Sequence, residues 1–397
     1  VAELHQMGID RVASINSEDN AAEKRAKMDR FAKGGYQILL VSPERFQVPE
    51  FRDVCGALNQ QGRVHYAVVD EVHCLSEWGH DFRIAYLNLA KTLSRSFPDA
   101  YFIGLTATAS ANVITDIRNE FSVSEEDVLY RLDLRRENLQ FQVLPTPGGP
   151  IRAISKWVSE RAPSGPGSFP SGIIFTPHVN GKRGCYELAT TLASDLGTEV
   201  GVFSGSRPKR FPGSDADFET KKLEAQDRFK RGELKLLCAT KAFGMGVNKK
   251  DVRFTVHLGI PSSMESLYQE AGRAGRDGKP ADCLVFRSAA APALNSAFEP
   301  GITPSKLKEL VESDRQDSDL RAQLWLLTKG LNSIAVEFRL AKMLLNELRQ
   351  HPDQTTIYSS RLHCDGLGSD NRAFAVQQAI YRLGQLGYVL DWTVLDF

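Results

Sequence analysis

Short apolar runs recur along the chain, and most are followed by a polar turn and then by a segment with helical spacing. Runs that are continuous rather than alternating are typical of strands buried on both faces, as in parallel sheets that helices cover. This pattern predicts an α/β fold with parallel sheets. The runs are QILLVS (37–42), HYAVVD (65–70), YFIGLTAT (101–108), GIIFTP (172–177), VGVFSG (200–205), LKLLCAT (234–240), RFTVHLG (253–259) and DCLVFRS (282–288).

Breaks in this pattern predict three regions. The segment 145–172 is dense in Pro, Gly and Ser around one helix-like stretch, which is typical of a linker or an irregular connection. Beyond 290 the spacing of apolar residues becomes helical, and the last stretch reads as a helix followed by a strand pair, as in a winged helix. The predicted regions are therefore 1–145, 146–290 and 291–397.

Composition limits the class of protein. Lys+Arg and Asp+Glu are equal at 49 each, so the charge balance gives no support for a nucleic-acid partner, although a local basic track can lie on a neutral protein. The 6 cysteines form no CxxC pair, which favours reduced thiols over a disulfide framework. No apolar stretch approaches the ~18 residues of a membrane span, and the first residues do not read as a signal peptide. We therefore expect a cytoplasmic protein that is not secreted.

Two adjacent carboxylates, Asp70 and Glu71, directly follow the apolar run AVV in the segment HYAVVDEVHCLSEWGHDFR. Ligands of open α/β sheets bind beyond the carboxyl ends of the strands. One carboxylate there could hold Mg²⁺ while the other orients or deprotonates a water. Acidic residues also end strands simply because they cap the next helix, and for this pair alone that interpretation is favoured. A zinc site made of His73, Cys74 and His80 is a weaker alternative, because their spacing matches no common structural site.

A second group of polar residues lies in SMESLYQEAGRAGRDG (263–278). Gln269, Arg273 and Arg276 stand at i, i+4 and i+7, so they would share one face if this segment were helical. Planar guanidinium groups on such a face are suited to the oxygens of a phosphate chain. The alternative is a solvated helix face, which the nearby glycines weaken, since each costs about 1 kcal/mol inside a helix.

Five motifs in order carry a resemblance to a known family. The sequences DEVH (70–73), LTATA (105–109), CATKAFGMGVNKKDVR (238–253) and QEAGRAGRDG (269–278) resemble the motif set of superfamily 2 helicases. The stretch HCLSEWGHDFR (73–83) resembles the aromatic-rich loop of RecQ-type DNA helicases. The resemblance implies two RecA-like parallel-sheet lobes, the first of them incomplete, followed by a mostly helical, winged-helix-like region.

The resemblance also implies roles for residues at the nucleotide site. Asp70 would hold Mg²⁺ and Glu71 would act as the base for the attacking water. His73 would couple this site to the rest of the first lobe with help from Thr106 and Thr108. From the second lobe, Gln269, Arg273 and Arg276 would reach ATP, with Arg276 as the arginine finger. Gly246 in the motif AFGMG would also belong to the nucleotide site.

Further roles concern DNA. The aromatic loop would sense single-stranded DNA, although core packing is the usual role of aromatic side chains; its residues are Trp78, Phe82 and Arg83. Bases that stack on aromatic side chains contribute roughly 1–3 kcal/mol each. Ser42 and Arg45 in SPERF are candidate DNA contacts in the first lobe. Thr240 and the backbone around Gly244 and Gly246 would contact DNA phosphates and help to close the lobes.

The sequence departs from the family at Lys250, where the family usually has proline, and in two ways that affect the chemistry. It contains no G-x-x-x-x-G-K-[ST] sequence, whose backbone and lysine cradle the phosphates of ATP. Because the opening residues read as the middle of a helix, we expect that loop to lie upstream of Val1, and we expect no useful ATP hydrolysis by these 397 residues alone. Cys364 is the one cysteine after Cys283, so we expect ATP and Mg²⁺ but no zinc.

The function expected from the resemblance is 3′–5′ unwinding of duplex DNA driven by ATP, with single-stranded and forked DNA as partners. Two alternatives stay open. One is a DNA-binding module that does not hydrolyse ATP, and the other is a superfamily 2 RNA helicase, against which the aromatic loop argues.

Overall fold

The computed structural model describes most of the chain and divides it into two compact units. The first consists of Val1–Tyr130 and Asn332–Phe397, and the second of Arg131–Leu331. The described residues are 1–16, 19–75, 86, 88–107, 109–130, 135–146, 149–161, 169–181, 183–244, 249–288, 292–314, 318–329, 334–350, 356–357, 362, 369–390 and 392. Among them, no helix is both long and apolar enough to cross a membrane.

The first unit contains two parallel strand pairs with helices between the strands. Strand β1 pairs with β2 from Val12↔Ile38 to Ile15↔Val41, and β3 pairs with β4 from Tyr66↔Tyr101 to Val69↔Gly104. Its elements are α1 (Ala2–Gln6), β1 (Val12–Ile15), α2 (Ala21–Ala32), β2 (Ile38–Val41), α3 (Pro49–Gln60), β3 (Tyr66–Val69), α4 (Leu89–Ser96), β4 (Tyr101–Gly104), α5 (Ala111–Phe121), and, after the second unit, α12 (Ile334–Gln350) and α13 (Ser369–Gln385).

The core of the segment Val1–Tyr130 in this unit is one cluster of buried apolar side chains. It includes Ile15, Phe51, Val69 and Leu93, which come from strands and from the helices that pack on them. Local sequence fixes where a helix begins: at α2 the Asn20 side chain accepts a hydrogen bond from the Glu23 backbone N–H, and the Glu23 carboxylate accepts one from the Asn20 N–H. This reciprocal capping box satisfies two N–H groups that the helix itself leaves unpaired.

The second unit is built on a six-stranded parallel sheet in the order β5-β10-β9-β6-β8-β7. Its elements are β5 (Leu139–Pro145), α6 (Pro150–Ser159), β6 (Gly172–Phe175), α7 (Cys185–Leu196), β7 (Val200–Phe203), α8 (Asp215–Arg231), β8 (Leu236–Ala239), β9 (Phe254–Leu258), α9 (Met264–Ala271), β10 (Ala281–Arg287), α10 (Pro304–Ser313) and α11 (Asp319–Lys329).

Both faces of this sheet are buried. Along β6, Ile174 belongs to a core cluster that includes residues of α6 and α7, such as Val158 and Leu188. Its neighbours Ile173 and Phe175 belong to a second cluster, which includes residues of α8 and α9. Since successive side chains of a strand point to opposite faces, helices cover the sheet on each side.

The predicted parallel α/β fold is confirmed, and each of the eight apolar runs contains a strand. Two strands, β1 and β5, were not among the predicted runs. Strand β5 has the sequence LQFQVLP, in which polar and apolar residues alternate, because it lies at the edge of the sheet and exposes most of its side chains.

The division between the units differs from the predicted boundaries at 145 and 290. Strand β5 pairs with β10 over its whole length, from Ala281↔Leu139 to Arg287↔Pro145, so residues 139–145 belong to the second unit. That unit also extends to Leu331, because Asp319 at the start of α11 forms a buried ion pair with Arg183. The helix predicted for the winged helix is present as α13. Where the strand pair is predicted, residues 386–390 contain a turn and bends, and most of the remaining residues lie outside the described part of the chain.

Candidate functional site

The two carboxylates Asp70 and Glu71 lie at the carboxyl end of β3, where the sequence predicts them. Glu71 has a φ of +50°, a left-handed conformation that is uncommon for residues other than glycine. Its backbone N–H donates to Asp70 Oδ1 at 2.9 Å, which helps to hold this turn. The Asp70 side chain is exposed, whereas Val72, His73 and Cys74 in the following 3₁₀ turn are buried. The geometry therefore presents one carboxylate to solvent and fixes the other beside it.

His73 joins these carboxylates to the end of the next strand. Its side chain is buried, with Nδ1 lying 3.0 Å from Thr106 Oγ1 and 3.3 Å from Glu71 Oε2. The backbones are also joined, because the Val72 N–H donates to the Leu105 carbonyl and the Leu105 N–H donates to the Val69 carbonyl. The structure thus brings together three of the predicted nucleotide-site residues, although they are up to 35 positions apart in the sequence. Thr108 lies outside the described residues.

The predicted DNA contacts of the first unit lie at the end of another strand. Ser42 follows β2 and is exposed, and it precedes the 3₁₀ turn Pro43–Gln47 that carries the half-buried Arg45. The Arg45 N–H donates to the Ser42 carbonyl at 2.9 Å, so the turn holds the two residues close to each other. The aromatic-loop residues Trp78, Phe82 and Arg83 lie outside the described part of the chain.

In the second unit, Thr240 follows β8 at the corresponding end of the sheet. Its side chain is buried, its N–H donates to the Phe203 carbonyl, and its carbonyl accepts from the Phe243 N–H in the 3₁₀ turn Lys241–Gly244. Thr176 occupies the same place after the neighbouring strand β6. Gly244 ends the 3₁₀ turn, and Gly246 lies outside the described residues.

The premise that Gln269, Arg273 and Arg276 share one helix face is wrong. Helix α9 ends at Ala271, so of these residues only Gln269 lies in it. The two arginines lie in the segment Gly272–Lys279, which we call the arginine loop. Gly275 in this loop has a φ of +57°, a left-handed conformation that glycine adopts without a steric cost.

The arginine loop buries one of its guanidinium groups and lines a cavity with the other. Arg273 is only 8% exposed. Arg276 lines a cavity of about 480 Å³ together with Arg136, Asn138, Lys250, Gly275 and Gly278. Burial lowers the pKa of Arg276, and the charge of Arg136 lowers it further. An arginine stays charged in spite of such shifts, so the cavity wall is strongly positive and suited to an anion.

Sequence reasoning missed Arg136, Asn138 and Arg253, which surround the arginine loop. Arg136 and Asn138 precede β5, the edge strand that the apolar pattern did not reveal. They are separated from the loop by more than 130 positions, so no local spacing could have indicated them. Within the described residues no group of three or more His, Cys, Asp or Glu side chains is placed to hold a metal ion. Cys364 lies outside the described residues, so the expectation of no zinc stays a prediction.

Comparisons with known proteins point to one family. Residues 1–117 match the family model of the DEAD/DEAH box helicase, and residues 171–278 match that of the helicase conserved C-terminal domain. The chain is 34% identical over 285 residues to ATP-dependent DNA helicase RecQ of Bacillus subtilis, an alignment that covers 72% of this chain and 44% of that protein. It is 33% identical over 293 residues to putative ATP-dependent DNA helicase Q1 of Caenorhabditis briggsae, with 72% and 44% covered.

A further relative and a solved structure agree. The chain is 32% identical over 280 residues to ATP-dependent helicase SGS1 of Saccharomyces cerevisiae, covering 70% of this chain and 18% of that protein. The crystal structure of the DUF1998 helicase MrfA bound to DNA and AMPPNP aligns with a TM-score of 0.53 at 16% identity, over 75% of this chain and 40% of that one. At that identity the likeness supports the fold alone. The chain spans less than half the length of these curated relatives.

Proposed function

We propose, because this chain belongs to the family of RecQ-type ATP-dependent DNA helicases, that it works in the ATP-driven unwinding of DNA. The observation that carries the proposal is the carboxyl end of β3, where an exposed aspartate and a glutamate are joined through buried His73 to the hydroxyl of Thr106. Acid–base chemistry of this kind needs a carboxylate held in one orientation next to a site that a ligand can reach.

The residues at this end of β3 provide one part of a site for a nucleotide with its magnesium ion. The exposed Asp70 carboxylate is an oxygen ligand of the kind that Mg²⁺ uses, commonly through water. Glu71 would accept the proton of the attacking water, and His73 would hold the Glu71 carboxylate and relay its position to Thr106. When bound, ATP supplies the phosphoanhydride whose cleavage drives movement along DNA. Arg273 and Arg276 would stabilise charge on its phosphates.

Other parts of the proposal concern the nucleic acid. Ser42, Arg45 and Thr240 lie after strands, and we assign them to the phosphate backbone of a single DNA strand. The aromatic loop Trp78, Phe82 and Arg83 would report that strand to the nucleotide site. The direction of movement, 3′ to 5′, and a preference for forked DNA rest on the family resemblance.

Because no phosphate-cradling G-x-x-x-x-G-K-[ST] sequence occurs in the 397 residues, we propose that this polypeptide by itself binds DNA without turning over ATP. The same observation favours the second candidate, a DNA-binding module that does not hydrolyse ATP. Phosphate release measured with ATP, Mg²⁺ and single-stranded DNA tests this inactivity: release at background level is expected. Turnover that Glu71→Gln abolishes would overturn the proposed inactivity and would support the enzyme.

Binding is the test of the substrate. Fluorescence anisotropy of a labelled single-stranded DNA should rise on addition of the chain, and an unlabelled RNA of the same sequence should compete less well than unlabelled DNA. Stronger competition by RNA would favour the RNA-helicase alternative. Absence of any binding at low salt would contradict both, since phosphate contacts are strongest there.

A further inference from the structure

The arginine loop lies outside any helix or strand, so its backbone carbonyls lack the partners that such an element provides. The Gly275 carbonyl accepts from the Gly278 N–H within the loop, and further donors come from side chains elsewhere. Arg136 supplies them. Its Nη1 donates to the Gly272 carbonyl at 2.7 Å, and its Nη2 donates to the carbonyls of Ala274 and Gly275 at 2.9 and 2.5 Å. One planar guanidinium therefore holds three carbonyls on both sides of Arg273.

Asn138, two positions further along, continues this set of contacts. Its Nδ2 donates to the carbonyls of Gly275 and Lys279, both at 2.8 Å. Gly275 has the positive φ that turns the loop, and a Cβ added there would collide with Asn138 Nδ2 and the Lys279 carbonyl. The side chain of Asn138 thus occupies the space that the missing side chain of Gly275 leaves open.

The direction of Arg276 depends on the same contacts. Its Nε donates to the Gly272 carbonyl at 3.4 Å, so this one oxygen accepts from Arg276 and from Arg136. Both guanidinium groups line the same cavity, where Lys250 adds a third positive charge, and none of the described residues that line it carries a carboxylate. A carbonyl oxygen between two like charges reduces their repulsion while keeping both pointed at the cavity.

The far side of the loop has a separate anchor. Arg253 directly precedes β9, and its Nη2 donates to both carboxylate oxygens of Asp277 at 2.7 Å. This contact lowers the pKa of Asp277. The N–H groups of Gly275 and Asp277 donate to the carbonyls of Val252 and Lys250. These two backbone bonds do not involve Arg136, so they can report whether Arg136 holds the loop.

We propose that Arg136, together with Asn138, is a positioning residue that fixes the arginine loop and sets the direction of Arg273 and Arg276. The consequence for phosphate recognition rests on the proposed function, whereas the positioning itself does not. A lysine cannot replace Arg136, because an ammonium group lacks the planar fork that reaches several carbonyls at once. We therefore expect the order of the loop to decrease in steps, from the unchanged protein through Arg136→Lys to Arg136→Ala.

The test is hydrogen exchange of the full 397-residue chain, read by mass spectrometry on peptides that cover the arginine loop. In Arg136→Ala these amides should exchange on the order of tenfold faster, because the loop opens locally more often. Arg136→Lys should fall between Arg136→Ala and the unchanged protein. The matched control Arg135→Ala, which removes the same charge from an exposed neighbour, should leave the loop unchanged.

A second readout is the rate at which phenylglyoxal modifies Arg273, whose burial protects it in the intact loop. This rate should rise in Arg136→Ala. The faster hydrogen exchange of the loop, measured without phenylglyoxal, should slow again when guanidinium ions at millimolar concentration replace the lost group. A role in global stability alone would speed exchange equally in peptides of β6 and β8, and guanidinium would not reverse it.

Unchanged loop exchange in Arg136→Ala, or equal acceleration throughout the second unit, would overturn the proposal. If Arg136→Ala does not fold, Asn138→Ala gives the same test, because it removes the donors to Gly275 and Lys279. Neither readout uses nucleotide or DNA. Failure of the positioning role would therefore leave the proposed function standing, and failure of DNA binding would leave the positioning role standing.

Discussion

The sheets of the two units bury their strands to different extents, although similar apolar runs encode both. In the second unit the central strands β6, β8 and β9 are buried at every position. In the first unit every other side chain of β2, β3 and β4 is exposed, among them Leu40, Val68 and Ile103 at 44%, 56% and 40% exposure. An apolar run therefore predicts a strand, but it does not reveal whether one face or two are covered.

The physical consequence is that stability should be concentrated in the second unit. Burial of apolar surface contributes about 25 cal/mol per Å², so strands that are covered on both faces gain more from folding than strands covered on one. Local opening should then occur more readily in the first unit. Hydrogen exchange resolved by peptide can follow the two units separately in the full chain.

The largest effect is expected from the buried ion pair of the second unit. Asp319 bonds to Arg183, and it also accepts from the Ser288 N–H, which ties α11 to the end of β10. Asp319→Ala leaves a buried guanidinium without its charge partner, so it should destabilise the second unit by about 3–5 kcal/mol. The control Glu199→Gln removes an exposed partner of Arg228 and should cost only about 0.2–1 kcal/mol. Equal effects in chemical unfolding would contradict the account.

Matched substitutions test the difference between the sheets directly. Ile174→Ala in β6 removes a fully buried side chain and should cost about 2–5 kcal/mol, since it leaves a cavity. Ile103→Ala in β4 changes a residue that is 40% exposed and should cost less than about 1 kcal/mol. The comparison fails if Ile103→Ala proves as costly as Ile174→Ala in denaturant titrations.

At alkaline pH the second unit should lose more of its stability than the first, because among the described residues it carries more buried thiols of raised pKa. Burial raises the pKa of Cys185 to about 11 and raises those of Cys238 and Cys283, whereas in the first unit it raises that of Cys55 to about 12. Since these folded-state pKa values lie above those of the unfolded chain, the stability is complete below about pH 9 and is lost as the pH rises. The loss should be about 1.4 kcal/mol per thiol for each pH unit.

The measurement is the free energy of unfolding of each unit at pH 8 and pH 10, obtained from hydrogen exchange resolved by peptide. Cys185→Ala should reduce the alkaline loss of the second unit. A pH dependence that is the same in both units, or that Cys185→Ala does not change, would contradict the assignment to the thiols.

The smallest effects should be equal in the two units. Asn20→Ala at the start of α2 and Ser214→Ala at the start of α8 each remove a side chain that accepts from the third residue of its helix. Each should cost about 1 kcal/mol, because a cap acts locally and does not depend on how the sheet is covered. A much larger loss at Ser214, seen in thermal unfolding, would show that the cap also has a tertiary role.

Sequence alone predicted most of the strands and the residues at their ends. The fold followed from continuous apolar runs, and the meeting of Glu71, His73 and Thr106 followed from the family resemblance. The edge strand β5 was missed because Gln140 and Gln142 interrupt its apolar residues. The prediction that the two arginines lie on a helix was wrong because helix α9 ends before Gly272. The contacts of Arg136 could not be predicted, because they join residues that are far apart in the sequence.

The decisive measurement is a hydrogen-exchange footprint of single-stranded DNA on the full chain. If DNA binds at the carboxyl ends of the strands, exchange should be slower in peptides that contain the turns after β2 and β8, at Ser42–Arg45 and Thr240–Gly244. Peptides at the opposite ends of those strands, such as Gly232–Leu236, should not change. Protection confined to regions away from the carboxyl ends of the strands, or no protection at saturating DNA, would contradict this prediction.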